Sequence, residues 1–82
     1  MLVAGLDIVF SVGATMDMQS YGISEEMVRE TINSGVHEIL SATHGVYKAS
    51  AGTNGRVVNV AYVRRPPASN RIVVAKVYWA KA

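Results

Sequence analysis

The apolar pattern of this chain changes its period once, at Gly35, and that change restricts it to an α+β fold with helices first and strands after. Ahead of Gly35, Met27, Val28, Thr31 and Ile32 recur at helical spacing behind a strong start signal. Ser24 is a good N-cap, since its side-chain oxygen can accept from the orphan amides of a first turn. Glu25 and Glu26 lie in that turn, where the helix dipole favours negative charge, and Ile23 and Val28 are spaced as a hydrophobic staple. Asn33-Ser34-Gly35 ends the helix. A shorter helix is expected before it, capped by Ser11, with Ala14, Met18 and Tyr21 on one face and Gly22 at its end. Leu6 to Phe10 reads as a strand leading into it.

Beyond Gly35 the period is two. Val36–Leu40, Tyr47–Ala51, Arg56–Arg64 and Arg71–Trp79 read as strands. Asn54-Gly55 is a strong hairpin signal, and Pro66-Pro67 breaks the chain between the last two strands because proline cannot donate to a ladder. The order β-α-α-β-β-β-β predicts two N-terminal helices packed on a three- to five-stranded antiparallel sheet, in one domain over residues 1–82. Strand parity puts Val58, Val60 and Tyr62 inward with Val73, Ala75, Val77 and Trp79. It puts Asn59 and Ala61 outward with Ile72, Val74, Lys76 and Tyr78.

Half of the residues are apolar and only 17% are charged, more apolar surface than one small core hides, so a homo-oligomer or a protein partner is expected. Cysteine is absent, which excludes disulfides, thiolate zinc sites and thiol nucleophiles and fits a reducing cytoplasm. The apolar start, Met1 to Phe10, carries Asp7, lacks a basic leader and is too short to span a bilayer, so no membrane attachment is expected.

Charge is segregated along the chain. Residues 1–44 hold all six acids and one base, Arg29, a net −5, while residues 45–82 hold seven bases and no acid, +7. The basic half is therefore the expected contact for a phosphate-bearing partner, through Lys48, Arg56, Arg64, Arg65, Arg71 and Lys76. Arg64, Arg65 and Arg71 should meet at one end of the sheet with no acid nearby in sequence, and guanidinium forks suit phosphate. The alternative is a solubilising strand edge. Tyr47, Tyr62, Tyr78 and Trp79 lie on strands as core aromatics or as platforms for bases.

For proton chemistry the candidates are His44 and Glu38. His44 and His37 are the only imidazoles in the chain. Ribonuclease chemistry needs a base, an acid and cations for the developing charge, and the competing reading makes His44 a turn residue and Glu38 a solvated one. No spacing fixes a metal site, no phosphate or dinucleotide fingerprint is present, and no cofactor is expected. Met16, Met18 and Met27 serve as core filler or as the lining of an adaptable pocket.

The run from Gly13 to Val28 resembles a small phage- and plasmid-borne domain of unknown function with the signature H-A-x-x-R-M-x-x-R-G-I-S-x-x-x-V. Ala14, Met18, Gly22, Ile23, Ser24 and Val28 match it, whereas Gly13, Asp17 and Tyr21 stand where it has His, Arg and Arg. Those domains look like relatives of the RelE/barnase-like ribonuclease toxins. The resemblance implies helices followed by an antiparallel sheet and an RNA-binding or RNA-cleaving domain, and the three replaced polar positions point to a catalytically degenerate one. The alternative is a non-enzymatic oligomeric interaction module of the antitoxin, immunity or phage-accessory kind.

Overall fold

Ser11 organises the N-terminal part of the molecule. In the computed structural model, which describes residues 7–65 and 70–80, Ser11 Oγ accepts from the Ala14 amide at 3.0 Å and so caps α1 (Val12–Tyr21). The helix stops at Gly22, whose φ of 69° is the left-handed conformation that glycine tolerates best. Two residues later Ser24 Oγ accepts from Met27 N at 3.2 Å and starts α2 (Glu25–Ser34). Ile23 and Val28 are both buried, as a hydrophobic staple requires. Gly35 ends α2 by close approach: a Cβ there would meet the Thr31 and Ser50 carbonyl oxygens.

Five strands follow the expected positions, with shifts at their ends: β1 (Asp7–Phe10), β2 (Val36–Ser41), β3 (Val46–Thr53), β4 (Arg56–Val63) and β5 (Arg71–Trp79). They form one sheet in the order β1-β5-β4-β3-β2. The β3–β4 turn carries Asn54 and Gly55, both at positive φ, as the Asn-Gly pair predicts. Pro66 to Ser69, expected to break the chain before β5, and Met1 to Leu6 lie outside the described residues.

The sheet is mixed, not purely antiparallel. β2 to β5 form the expected meander, but β1 runs parallel to β5, pairing Asp7 with Arg71 through to Phe10 with Val74. The chain leaves β1, crosses both helices to the far edge at β2, and meanders back until β5 lies beside β1. No local sequence signal encodes that closure, because the paired residues stand 64 positions apart.

One face of the sheet carries the helices. Ile32 and Val28 from α2 pack with Val58, Val60, Ile72, Val74 and Val77, all essentially inaccessible. Each such side chain contributes about 1.5–3 kcal/mol on burial. Ile72 and Val74 correct the parity reading, which had placed them outward. β4 advances from Ala61 to Tyr62 while β5 advances from Lys76 to Val74, so Ala75 is an extra residue in a β-bulge. The bulge inverts the alternation below it. Val77 is buried on the helix face as parity requires, Ile72 and Val74 are buried there as well, and Trp79 at the strand end packs partly against the same core.

α1 lies along the free edge of β5 rather than over the core. Ser11 N donates to Val74 O at 3.0 Å and Ser11 Oγ to Ala75 O at 3.3 Å. Asp17 Oδ2 accepts from Val77 N at 3.2 Å, and Trp79 Nε1 donates to Tyr21 O at 2.9 Å. Of the face expected for this helix, Ala14 is buried and Met18 half-buried, but Tyr21 is exposed.

Candidate nucleic-acid interface

The helix-free face of the sheet is built from two cross-strand rows. Glu38, Lys48, Ala61 and Lys76 stand side by side on β2 to β5. The next row is Val36, Ser50, Asn59 and Tyr78. Lys48 and Lys76 flank the small Ala61 with one strand between them, which sets their backbones about 10 Å apart. The face forms a groove of about 800 Å³, with Lys48, Lys76, Asn59 and Tyr78 on its floor and Tyr21, Trp79 and Leu40 on its walls. That size suits a drug-sized ligand or a short stretch of polymer.

Ser50 Oγ donates to Asn59 Oδ1 at 2.6 Å, so the oxygen of this nearly buried groove residue is satisfied within the sheet. Lys48 Nζ is 3.4 Å from Glu38 Oε1, a solvent-facing pair in which Glu38 is exposed and Lys48 half-buried. Asp17, the carboxylate at the groove wall, is already committed to the Val77 amide.

The other expected cations lie elsewhere. Arg56 sits at the hairpin end with its guanidinium 3.9 Å from the centre of the Trp79 ring, a cation–π contact that also holds one groove wall. Arg64 lines a separate cavity on the helix side, and the Arg65 side chain lies over Gly45. Arg71 Nε is 3.2 Å from Asp7 Oδ2. Arg64, Arg65 and Arg71 therefore share one end of the sheet, and the acid absent from their sequence neighbourhood arrives from a distant strand. The parallel β1–β5 pairing delivers Asp7 directly opposite Arg71.

His44 lies in the exposed β2–β3 turn at that same end, where Arg64 N donates to Gly45 O at 2.8 Å. Glu38 is across the sheet face on Lys48. His37 has a structural position that parity alone does not disclose. Its Nε2 is 2.8 Å from Ile32 O, which can only accept, so Nε2 carries a proton, and Nδ1 is hydrogen-bonded with the Tyr62 hydroxyl at 2.7 Å. Tyr62 stacks on Tyr47, with centroids 5.4 Å apart. Burial raises the Tyr62 phenol above its ordinary value, against the opposing pull of the Arg64 charge. These groups border a 240 Å³ cavity at the edge of the core.

Sequence reasoning placed Lys48 and Lys76 among six cations but did not pair them, and it did not assign Asp17 or Tyr21 to the groove. The i, i+2 pattern on β3 and β4 carried part of the signal; the rest needed the strand register. No family model, curated protein or solved structure matches this chain.

Proposed function

We propose that this is an RNA-interacting domain that binds a single strand across the helix-free face of its sheet. The observation that carries the reading is the row Lys48–Ala61–Lys76 beside the row Asn59–Tyr78. Two ammonium groups spaced across a shallow floor suit successive backbone phosphates. Tyr78 and the exposed Tyr21 offer ring faces for bases. The resemblance to RelE-like toxins favours RNA as the polymer. It also favours binding without cleavage, because Gly13, Asp17 and Tyr21 replace the polar signature residues and Asp17 holds a strand edge instead.

Fluorescence anisotropy with a labelled oligouridine tests this. Binding should weaken with salt at a log–log slope of about −1.4, the value for two phosphate contacts on a single strand. Lys48→Glu with Lys76→Glu should reduce affinity at least tenfold, and the RNA should remain intact on a denaturing gel. Equal affinity for the wild type and this variant at low salt would refute the reading.

A second reading, an oligomeric protein-interaction module, is favoured by one specific observation: the apolar exposure of β2.

A further inference from the structure

β2 is a six-residue edge strand whose backbone, among the described residues, makes its inter-element hydrogen bonds to β3 alone. Every second residue of such a strand turns its amide and carbonyl outward. Its side chains are as open as its backbone. Val36 is 77% exposed, Ile39 63% and Leu40 50%, and no other strand of the sheet carries three large exposed hydrophobics among the described residues. Edge strands are commonly protected by lysine, proline or a covering helix. β2 has no lysine or proline, and among the described residues its protection is the Glu38 charge and a bulge at Leu40.

We propose that β2 pairs antiparallel with β2 of a second copy, joining two five-stranded sheets into one of ten strands across a twofold axis. The occupant must bring an open strand edge of its own, and a second copy brings one of the same length with the same exposed residues. The electrostatics allow it. Glu38 is the strand's only carboxylate, and Lys48 neutralises it at 3.4 Å, so two copies approach without net repulsion along the seam. β2 itself carries no lysine or arginine.

The area sets the strength. The three exposed side chains and the adjoining backbone present on the order of 400 Å² per copy, so the pair covers about 800 Å², short of the roughly 1,200 Å² of tight complexes. The dimer is therefore expected at the weak, transient end of the scale. A twofold axis perpendicular to the sheet keeps the helices of both copies on one side. Both lysine rows then lie on one continuous surface, with the groove wall at Leu40 beside the seam. The inference rests on the edge and stands whether or not the groove binds RNA.

Sedimentation velocity on the full chain from about 1 to about 200 µM, without nucleic acid, tests it. The expected result is a shift from 8.8 kDa toward twice that mass as concentration rises. Val36→Lys with Ile39→Lys should stay monomeric throughout with an unchanged circular dichroism spectrum. As an independent readout, single cysteines at Ile39 or Leu40 should form disulfide dimers on mild oxidation, whereas Asn54→Cys should not. The chain has no cysteine to confuse that result. A wild type that remains monomeric at the top concentration overturns the proposal, as does a folded lysine variant that dimerises equally well. If the lysine variant fails to fold, the cysteines decide. Cross-linking through Asn54→Cys but through neither β2 position means that the copies meet elsewhere.

Discussion

The upper half of β5 and the whole of β2 are both flanks of the same sheet, and the molecule treats them oppositely. Along β5, α1 supplies an acceptor for the Val77 amide, a donor for the Ala75 carbonyl and an acceptor for the Trp79 indole. Along β2 no described group caps the outer backbone edge, although the His37 ring reaches the Ile32 carbonyl of α2. The helix that closes β5 has almost no apolar stripe: Ala14 is its buried residue, while Val12 is 78% exposed and Met16 61%. A helix can thus be held to a sheet through the polar groups of the strand flank, which hydrophobic periodicity does not report. The lesson is that protection of one flank is specified by a few capping and carboxylate residues, and its omission at the other flank is equally legible in exposed Val, Ile and Leu.

The largest expected effect contrasts two isoleucines. Ile72→Ala on β5 removes a fully buried side chain and should lower the unfolding free energy by about 2–5 kcal/mol. Ile39→Ala on β2 should change it by no more than about 0.5 kcal/mol when the chain is dilute. Urea denaturation of both variants below micromolar concentration checks this. Equal losses would mean that β2 is more covered than its exposure indicates.

A middle-sized effect tests the seal itself. Asp17→Ala leaves the Val77 amide without its acceptor and should cost about 1–3 kcal/mol, while Asp17→Asn keeps an acceptor oxygen and should recover most of the loss. Glu26→Ala, an exposed acid on α2, is the control. If all three variants melt together, α1 is not held through Asp17.

Smallest is the effect at Tyr62. Tyr62→Phe removes the hydrogen bond to His37 and should cost about 1 kcal/mol near neutral pH. Its pH dependence has a defined sign. Burial holds the folded phenol above its ordinary 10.0, so the unfolded chain ionises first. The stability tied to the buried neutral phenol is complete below pH 10 and is lost as pH rises through the folded value. Urea midpoints from pH 8 to 11 should fall more steeply in wild type than in Tyr62→Phe. Parallel curves would place the phenol in water.

Both helices were legible because their ends are chemical: Ser11, Gly22, Ser24 and Gly35 each stop or start a hydrogen-bond pattern locally. The meander was legible through period and Asn54-Gly55. Two features escaped for one physical reason, that they depend on pairing rather than on local chain. The Ala75 bulge shows itself only against β4, and without it parity put Ile72 and Val74 on the wrong face. The partner of Arg71 is Asp7, which only the β1–β5 pairing reveals. The groove was half legible. Lys48 and Lys76 stood out as cations, but their common row follows from the register across Ala61, and Asp17 and Tyr21 come from a helix that packs on a flank.

The parallel pairing of β1 with β5 also bears on when the fold can form. A chain made from its N-terminus emits β1 and α1 well before β5. α1 takes its long-range hydrogen bonds from β5, at Val74, Ala75, Val77 and Trp79, so β1 and α1 have little to dock on until β5 emerges. Contacts spanning some 64 residues carry a large loop-closure entropy and slow the search. The β2–β4 meander and α2 can condense early as a local nucleus. Arrival of β5 then recruits β1 and α1 together.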